Sequence, residues 1–191
     1  MAYEAKNFST LIGITGLSET LLKNHFKLYE GYVANTNKVL DMLKNSEIGS
    51  PAYAELKRRF GWEFNGMRLH ELYFSNLSKN SQAFDLNSKL GKQIILDFGS
   101  FENWEKDFKG TCALRGIGWS VLFWDHDGKK LFNCWINEHD AGPLTGCAPI
   151  LVGDVFEHAF MIDYGLNRAD YIATFMKIID WRKVVERFDN A

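Results

Sequence analysis

Apolar residues recur at helical spacing through the first quarter of the chain, with Leu21, Leu22, His25, Leu28, Tyr29, Tyr32, Val33, Thr36 and Val39 on one face of a 3.6-residue repeat. Ser18 ahead of Glu19 is an N-cap signal with an anion in the first turn, where the helix dipole favours it. The spacing therefore predicts a long helix over 19–44, closed by Asn45 and the Gly49-Ser50-Pro51 break, after an irregular arm of about 17 residues. Ser50-Pro51 opens a second helical stretch, since proline suits the first helical position. It is expected over 52–60 and 62–77, with a kink at Gly61. The polar Ser78-Lys79-Asn80-Ser81 ends this helical hairpin. Two shorter helices are predicted over 88–98 and 101–109, divided by Gly99-Ser100.

The period changes after Gly116. Trp119 to Trp124 reads as a strand, Asp125-His126-Asp127-Gly128 as a hairpin turn, and Lys130 to Ile136 as its partner. A third run, Pro149-Ile150-Leu151-Val152, ends against Asp154. Helix is expected again over 156–164 and 168–179, with a tail from Trp181. Helices, then a three-stranded antiparallel sheet, then helices make an α+β pattern. The expected division is an N-terminal helical hairpin domain, 1–82, and a C-terminal α/β domain, 83–191.

Composition narrows the class. Hydrophobic residues make up 46% and charged residues 24%, which is ordinary for a globular protein, while 15% aromatic content predicts a dense aromatic interior. A net charge of -2 argues against a nucleic-acid surface. No apolar run approaches the roughly 20 residues that span a bilayer. Cys112, Cys134 and Cys147 are odd in number and form no CxxC pair, so zinc ribbons and thioredoxin-like motifs are excluded. With no signal peptide at the start, a cytoplasmic protein is expected.

Asp154 and His158 are four residues apart, and on a helix they would share one face. Alone, such a pair is common by chance, and a lone helix histidine such as His25 reads as a buried side chain satisfied by a carbonyl or a tyrosine. His70-Glu71-Leu72-Tyr73-Phe74 lacks the second histidine of HExxH, which excludes the usual zinc-protease reading. Taken together, His25, His70, Asp154 and His158 would supply three imidazoles and one carboxylate. That set suits manganese or iron, and zinc could use it too. Gly66, one turn before His70, would let another group approach closely.

The segment Asp154-Val155-Phe156-Glu157-His158-Ala159-Phe160 resembles the D-x-W-E-H-A-[FY] signature of the iron/manganese superoxide dismutase family. Tyr32-Val33-Ala34-Asn35-Thr36-Asn37 is similar to its Y-V-x-N-x-N, and His70 to Leu77 to its H-x-x-F-W-x-N-L. Phe98-Gly99-Ser100, Gly118-Trp119-Ser120-Val121-Leu122 and the Asp170-Tyr171 to Asp180-Trp181 stretch resemble three further blocks in the family's order. The resemblance implies disproportionation of superoxide to dioxygen and hydrogen peroxide, with one iron or manganese ion per subunit between the two domains. The implied ligands are His25, His70, Asp154 and His158. It further implies that His139 hydrogen-bonds the metal's solvent and that Tyr32 is the gateway tyrosine. Trp119, Phe74 and Phe156 would line the cavity, and Val152 would pack close behind Asp154. Glu157 would reach a ligand histidine of a second copy across a homodimer interface. Gly66 in place of a glutamine is more typical of manganese members.

The chain also departs from the pattern. Seven residues separate His25 from Tyr32 where the family has eight, and a shortening absorbed at a helix bulge would restore the geometry. Asn24 holds the ungapped position, but it is a poor ligand. The family's halfway histidine is replaced by Leu28 or Tyr29, and its partner tyrosine by Met161. Lys27 and Arg168 are the candidates for guiding an anionic substrate. The alternative function is a metal-retaining, poorly active homologue serving as a metal-binding or interaction protein.

Overall fold

The computed structural model describes residues 2–191. Two long helices, α1 (Glu19–Lys44) and α2 (Pro51–Ser75), pair as an antiparallel hairpin. Then follow α3 (Lys89–Phe98), α4 (Phe101–Cys112), β1 (Trp119–Asp125), β2 (Lys130–Ile136) and β3 (Cys147–Asp154). The chain closes with α5 (Met161–Tyr164), α6 (Arg168–Lys177) and α7 (Trp181–Asp189). No helix among the described residues is long and apolar enough to cross a membrane.

The helix starts follow from the sequence. Ser18, Ser50, Ser88 and Ser100 each accept a hydrogen bond from the backbone N–H three residues on, at 3.0–3.1 Å. Each satisfies a donor that the first turn cannot pair internally. Gly61 does not interrupt α2, which runs as one helix from Pro51 to Ser75. A lone glycine costs a helix only about 1 kcal/mol, and the flanking turns carry the hydrogen bonding through it.

The sheet order is β2-β1-β3, antiparallel throughout, with β1 in the centre. Trp119 opens β1 directly opposite Asp154, the last residue of β3. Trp104, Trp119, Tyr73, Tyr171, Phe108 and Phe175 are fully buried between the sheet and the helices. The N-terminal arm is irregular, as expected, yet it is fastened. Leu11, Ile14 and Leu17 are buried, and Tyr3 exchanges two 2.8 Å hydrogen bonds with the Asn37 amide.

Two helical expectations fail at the C-terminal end. The stretch 156–164 is not one helix. Phe156 is extended, Glu157–Ala159 form a single 3-10 turn, and only Met161–Tyr164 are α-helical. The strand is the cause: Val155 N–H is spent on Gly118 O at 2.9 Å, and Phe156 N–H on the Asp154 side chain at 2.9 Å. Helix α6 stops at Lys177 because Ile178 and Ile179 bond back to the end of α2, Ser78 N–H donating to Ile178 O at 2.8 Å.

Candidate metal centre

His25 comes from α1, His70 from α2, Asp154 from the end of β3 and His158 from the 3-10 turn. Their ligand atoms all lie within 4.8 Å of one another. Asp154 and His158 therefore do meet, but not on a helix face; the strand end and the tight turn after it bring them together. Asp154 Oδ2 lies 3.1 Å from His25 Nε2, 3.1 Å from His158 Nε2 and 3.8 Å from His70 Nε2. Metal bonds of about 2.1 Å at ordinary coordination angles put neighbouring ligand atoms roughly 3.0–3.8 Å apart. The observed spacings match such edges.

The protonation states also fit. His70 Nδ1 lies 2.6 Å from Gly66 O, an acceptor, so Nδ1 carries the proton and Nε2 presents its lone pair to the cluster. That Nε2 is buried and has no hydrogen-bond partner among the described residues. Burial lowers the pKa of His25, against the pull of Asp154, and takes His70 well below the usual imidazole value. Burial opposes ionisation of Asp154, yet the imidazoles of His158 and His25 outweigh it and hold the carboxyl well below its usual range. The result is an ionised carboxylate among three imidazoles, two of them buried, a donor set suited to one iron or manganese ion.

The residues behind the donors hold them in place. Asp154 Oδ1 accepts from Phe156 N–H, and its carbonyl accepts from the Tyr171 hydroxyl at 2.7 Å. Tyr171 is thereby a donor, so in its 3.1 Å contact with Tyr73 it accepts. Trp119 packs edge-on against His70 at 4.9 Å, and Phe74 against His25 at 4.8 Å. Phe156 stacks on His158 at 5.3 Å and lies 5.1 Å from His139. Val152 is fully buried, and its carbonyl accepts from the Asn76 amide.

A second group of side chains lies beside the donors. Trp119 Nε1–H donates to His139 Nδ1 at 3.1 Å. An indole nitrogen can only donate, so Nδ1 must accept and the His139 proton sits on Nε2. Nε2–H then donates to the Tyr32 oxygen at 2.9 Å, which leaves the Tyr32 hydroxyl proton uncommitted. Burial lowers the His139 pKa to about 4 and raises that of Tyr32 to about 12, so both are neutral near pH 7. Tyr32 reaches this position over Gly66, where a Cβ would stand only 2.6 Å from the tyrosine ring.

Helix α1 contains no bulge. In a regular helix seven residues make almost two full turns, so His25 and Tyr32 share a face without any correction. Asn24 is exposed, and Tyr29, not Leu28, is the buried residue one turn after His25. Sequence reasoning missed what Tyr29 does. Its hydroxyl accepts from Lys6 N–H at 2.9 Å and donates to Glu71 at 3.1 Å, and Glu71 also pairs with Arg68 at 2.7 Å and Lys6 at 3.0 Å. Glu71, a carboxylate directly after His70 on the same helix, was the available signal. Glu157 is exposed and Met161 is 40% exposed. Neither cation favoured from sequence is free at the site. Lys27 is a solvent-facing residue paired with Glu30, and the Arg168 guanidinium donates to the carbonyls of Ala113, Leu114 and Gly116.

Residues 86–187 match the family model described as iron/manganese superoxide dismutases, C-terminal domain. The manganese superoxide dismutase 2 of Haloferax volcanii is 33% identical over 180 residues, 92% of this chain and 88% of that protein. The iron superoxide dismutase of Cupriavidus metallidurans is 34% identical over 184 residues, covering 93% and 91%. That of Aquifex aeolicus is 32% identical over 187 residues, covering 93% and 87%.

Proposed function

Because the chain belongs to the iron/manganese superoxide dismutase family, we propose that it disproportionates superoxide to dioxygen and hydrogen peroxide at a single iron or manganese ion held by His25, His70, Asp154 and His158. The observation that carries this reading is the convergence of three imidazoles and one carboxylate, from four separate elements, within 4.8 Å. A bound iron or manganese ion supplies the one-electron couple that oxidises one superoxide and reduces the next.

The chain's own residues supply position and protons. Trp119 fixes the His139 tautomer, and His139 in turn fixes the Tyr32 oxygen as an acceptor. The uncommitted Tyr32 hydroxyl proton is then available to an anion arriving beside it, and the phenol stays protonated because its pKa is pushed up to about 12. Trp119, Phe74 and Phe156 keep the surroundings apolar, which strengthens these hydrogen bonds.

A homodimer belongs to the same proposal. His158 has a side chain 27% exposed, and the adjoining Glu157, Met161 and Ile162 are all exposed, so a second copy could cover them. The division near residue 82 into a helical and an α/β domain is supported by the family match beginning at residue 86. A cytoplasmic location is supported by the free thiols of Cys112, Cys134 and Cys147.

The test is metal analysis of the purified protein, together with superoxide decay for the native chain and for His158→Ala. Stoichiometric iron or manganese with rapid decay, lost in the variant, is expected. Bound metal with negligible turnover would instead support a metal-retaining protein with another role, a reading favoured by Met161 and by the commitment of Tyr29 to Glu71.

A further inference from the structure

An anion approaching Tyr32 meets unfavourable charge. The bound ion would offset the charge of Asp154, but outside the donor set Glu63 and Glu138 both act on the Tyr32 hydroxyl with negative potential. Glu63 is 2% exposed, and one oxygen of Glu63 and one of Glu138 are buried without a hydrogen-bond partner among the described residues. Lys27 and Arg168, the cations marked from sequence, are engaged elsewhere.

One cation does adjoin this approach. The Arg59 guanidinium lies over the Trp62 ring at 5.5 Å, and the Trp62 ring stands 5.0 Å from the ring of His139, which bonds Tyr32. Its positive charge acts on both Tyr32 and His139. Two of its nitrogens lie 2.6 Å from the same Glu63 oxygen. A guanidinium has five N–H donors in a fixed fork, so others remain unspent. The arrangement is asymmetric in depth. The Arg59 side chain is 56% exposed while Glu63 is buried, so the pair presents its positive end outward and its negative end inward.

We propose that Arg59 is the positioning residue that draws small monoanions, superoxide included, toward Tyr32 and His139, with Glu63 as the buried anchor that holds its guanidinium over Trp62. The inference rests on the dismutase reading for its substrate, but the geometry applies to any small anion bound beside Tyr32. Arg59 acts through its charge and touches neither the donors nor the reacting atoms. A steering charge of this kind works over about 10 Å at ordinary ionic strength and fades as salt rises.

The experiment uses the metal-loaded protein and two readouts, with metal content and circular dichroism as controls. The first is the second-order rate constant for superoxide decay as a function of ionic strength. The second is the affinity for azide, a small monoanion, followed by visible absorption and independent of turnover. Arg59→Gln should lower the rate about three- to tenfold at low ionic strength, weaken azide binding by a similar factor, and converge on the native protein at high salt. Arg59→Lys should keep most of both. Glu63→Gln keeps an amide oxygen that can accept from the guanidinium and so hold it over Trp62, while removing the opposing charge, and should leave azide affinity unchanged or tighten it. If Arg59 only braces Trp62 through its ion pair, Arg59→Gln and Glu63→Gln will fall together with no dependence on salt, and the inference is overturned. Should Arg59→Gln fail to fold, the direction of the Glu63→Gln change decides. Azide effects as expected in a protein with no turnover would uphold Arg59 and sink the dismutase reading; intact turnover with unaltered azide affinity would do the reverse.

Discussion

Replacing Gly66 by alanine tests whether the seat of Tyr32 matters. A Cβ at this position would stand 2.6 Å from Tyr32 Cδ1, 2.7 Å from Cε1 and 3.0 Å from Cγ. Carbon atoms in contact settle at about 3.5–4.0 Å, so the ring must retreat by roughly 1 Å. The ring is stacked on His70 at 5.2 Å and its oxygen is held 2.9 Å from His139 Nε2. A retreat of that size stretches the latter contact toward about 4 Å, outside hydrogen-bonding range. Overpacking costs about 1–3 kcal/mol, while alanine in place of glycine within a helix returns about 1 kcal/mol. The net stability change should therefore be small, about 0–2 kcal/mol of destabilisation. The effect on rate should be larger, because a positioned proton donor contributes about 100-fold or more in general acid catalysis. A tenfold or greater fall in the superoxide decay rate, with metal content unchanged, is expected from stopped-flow measurement and metal analysis. An unchanged rate would refute the reasoning. So would loss of metal, since that would place the strain on His70 and not on Tyr32.

Two other outcomes follow from the same geometry. His139 has a folded pKa of about 4 against about 6.5 when unfolded. Above pH 6.5 neither state is protonated and the group contributes nothing; as pH falls from 6.5 to 4, only the unfolded state takes the proton. Metal-free protein should therefore lose up to about 3 kcal/mol from this group across that window, at about 1.4 kcal/mol per pH unit. Denaturant midpoints of His139→Gln should fall less steeply, and equal slopes would exclude the assignment. Iron or manganese at about 100 times its dissociation constant should stabilise the native chain by about 2.7 kcal/mol. Thermal melts of Asp154→Asn should show no such gain, and an equal gain would mean that the ion binds elsewhere.

Much of this was legible in the chain because local rules set it. Ser18 and Ser50-Pro51 marked the starts of α1 and α2, and the close approach over Gly66 followed from a missing side chain. The His25 to Tyr32 spacing was misread as needing a bulge, whereas seven residues make two turns of the ordinary helix observed. The Asp154–His158 pairing was found for the wrong reason. An i, i+4 interval looks helical, but pairing with Trp119 and the bond from Val155 to Gly118 belong to a strand end, and they depend on residues over 30 positions away. Arg59 and Glu63 were invisible for a similar reason. Four residues apart on a helix, they read as an ordinary surface pair, and only the fold shows that one member is buried beside Tyr32.

The burial of the donors bears on when a metal can be acquired. His70 and Asp154 are fully buried and His25 is 1% exposed, each on a different element. His158 is the only partly exposed donor, at 27%, so exchange of the ion is expected to need α1 and α2 to part from the end of β3, a cooperative opening. Metal identity in the finished protein is then a record of timing. On that expectation, the ion abundant while the helical hairpin closes on the sheet is the one retained, and metal content after synthesis with one ion followed by a chase with the other checks it.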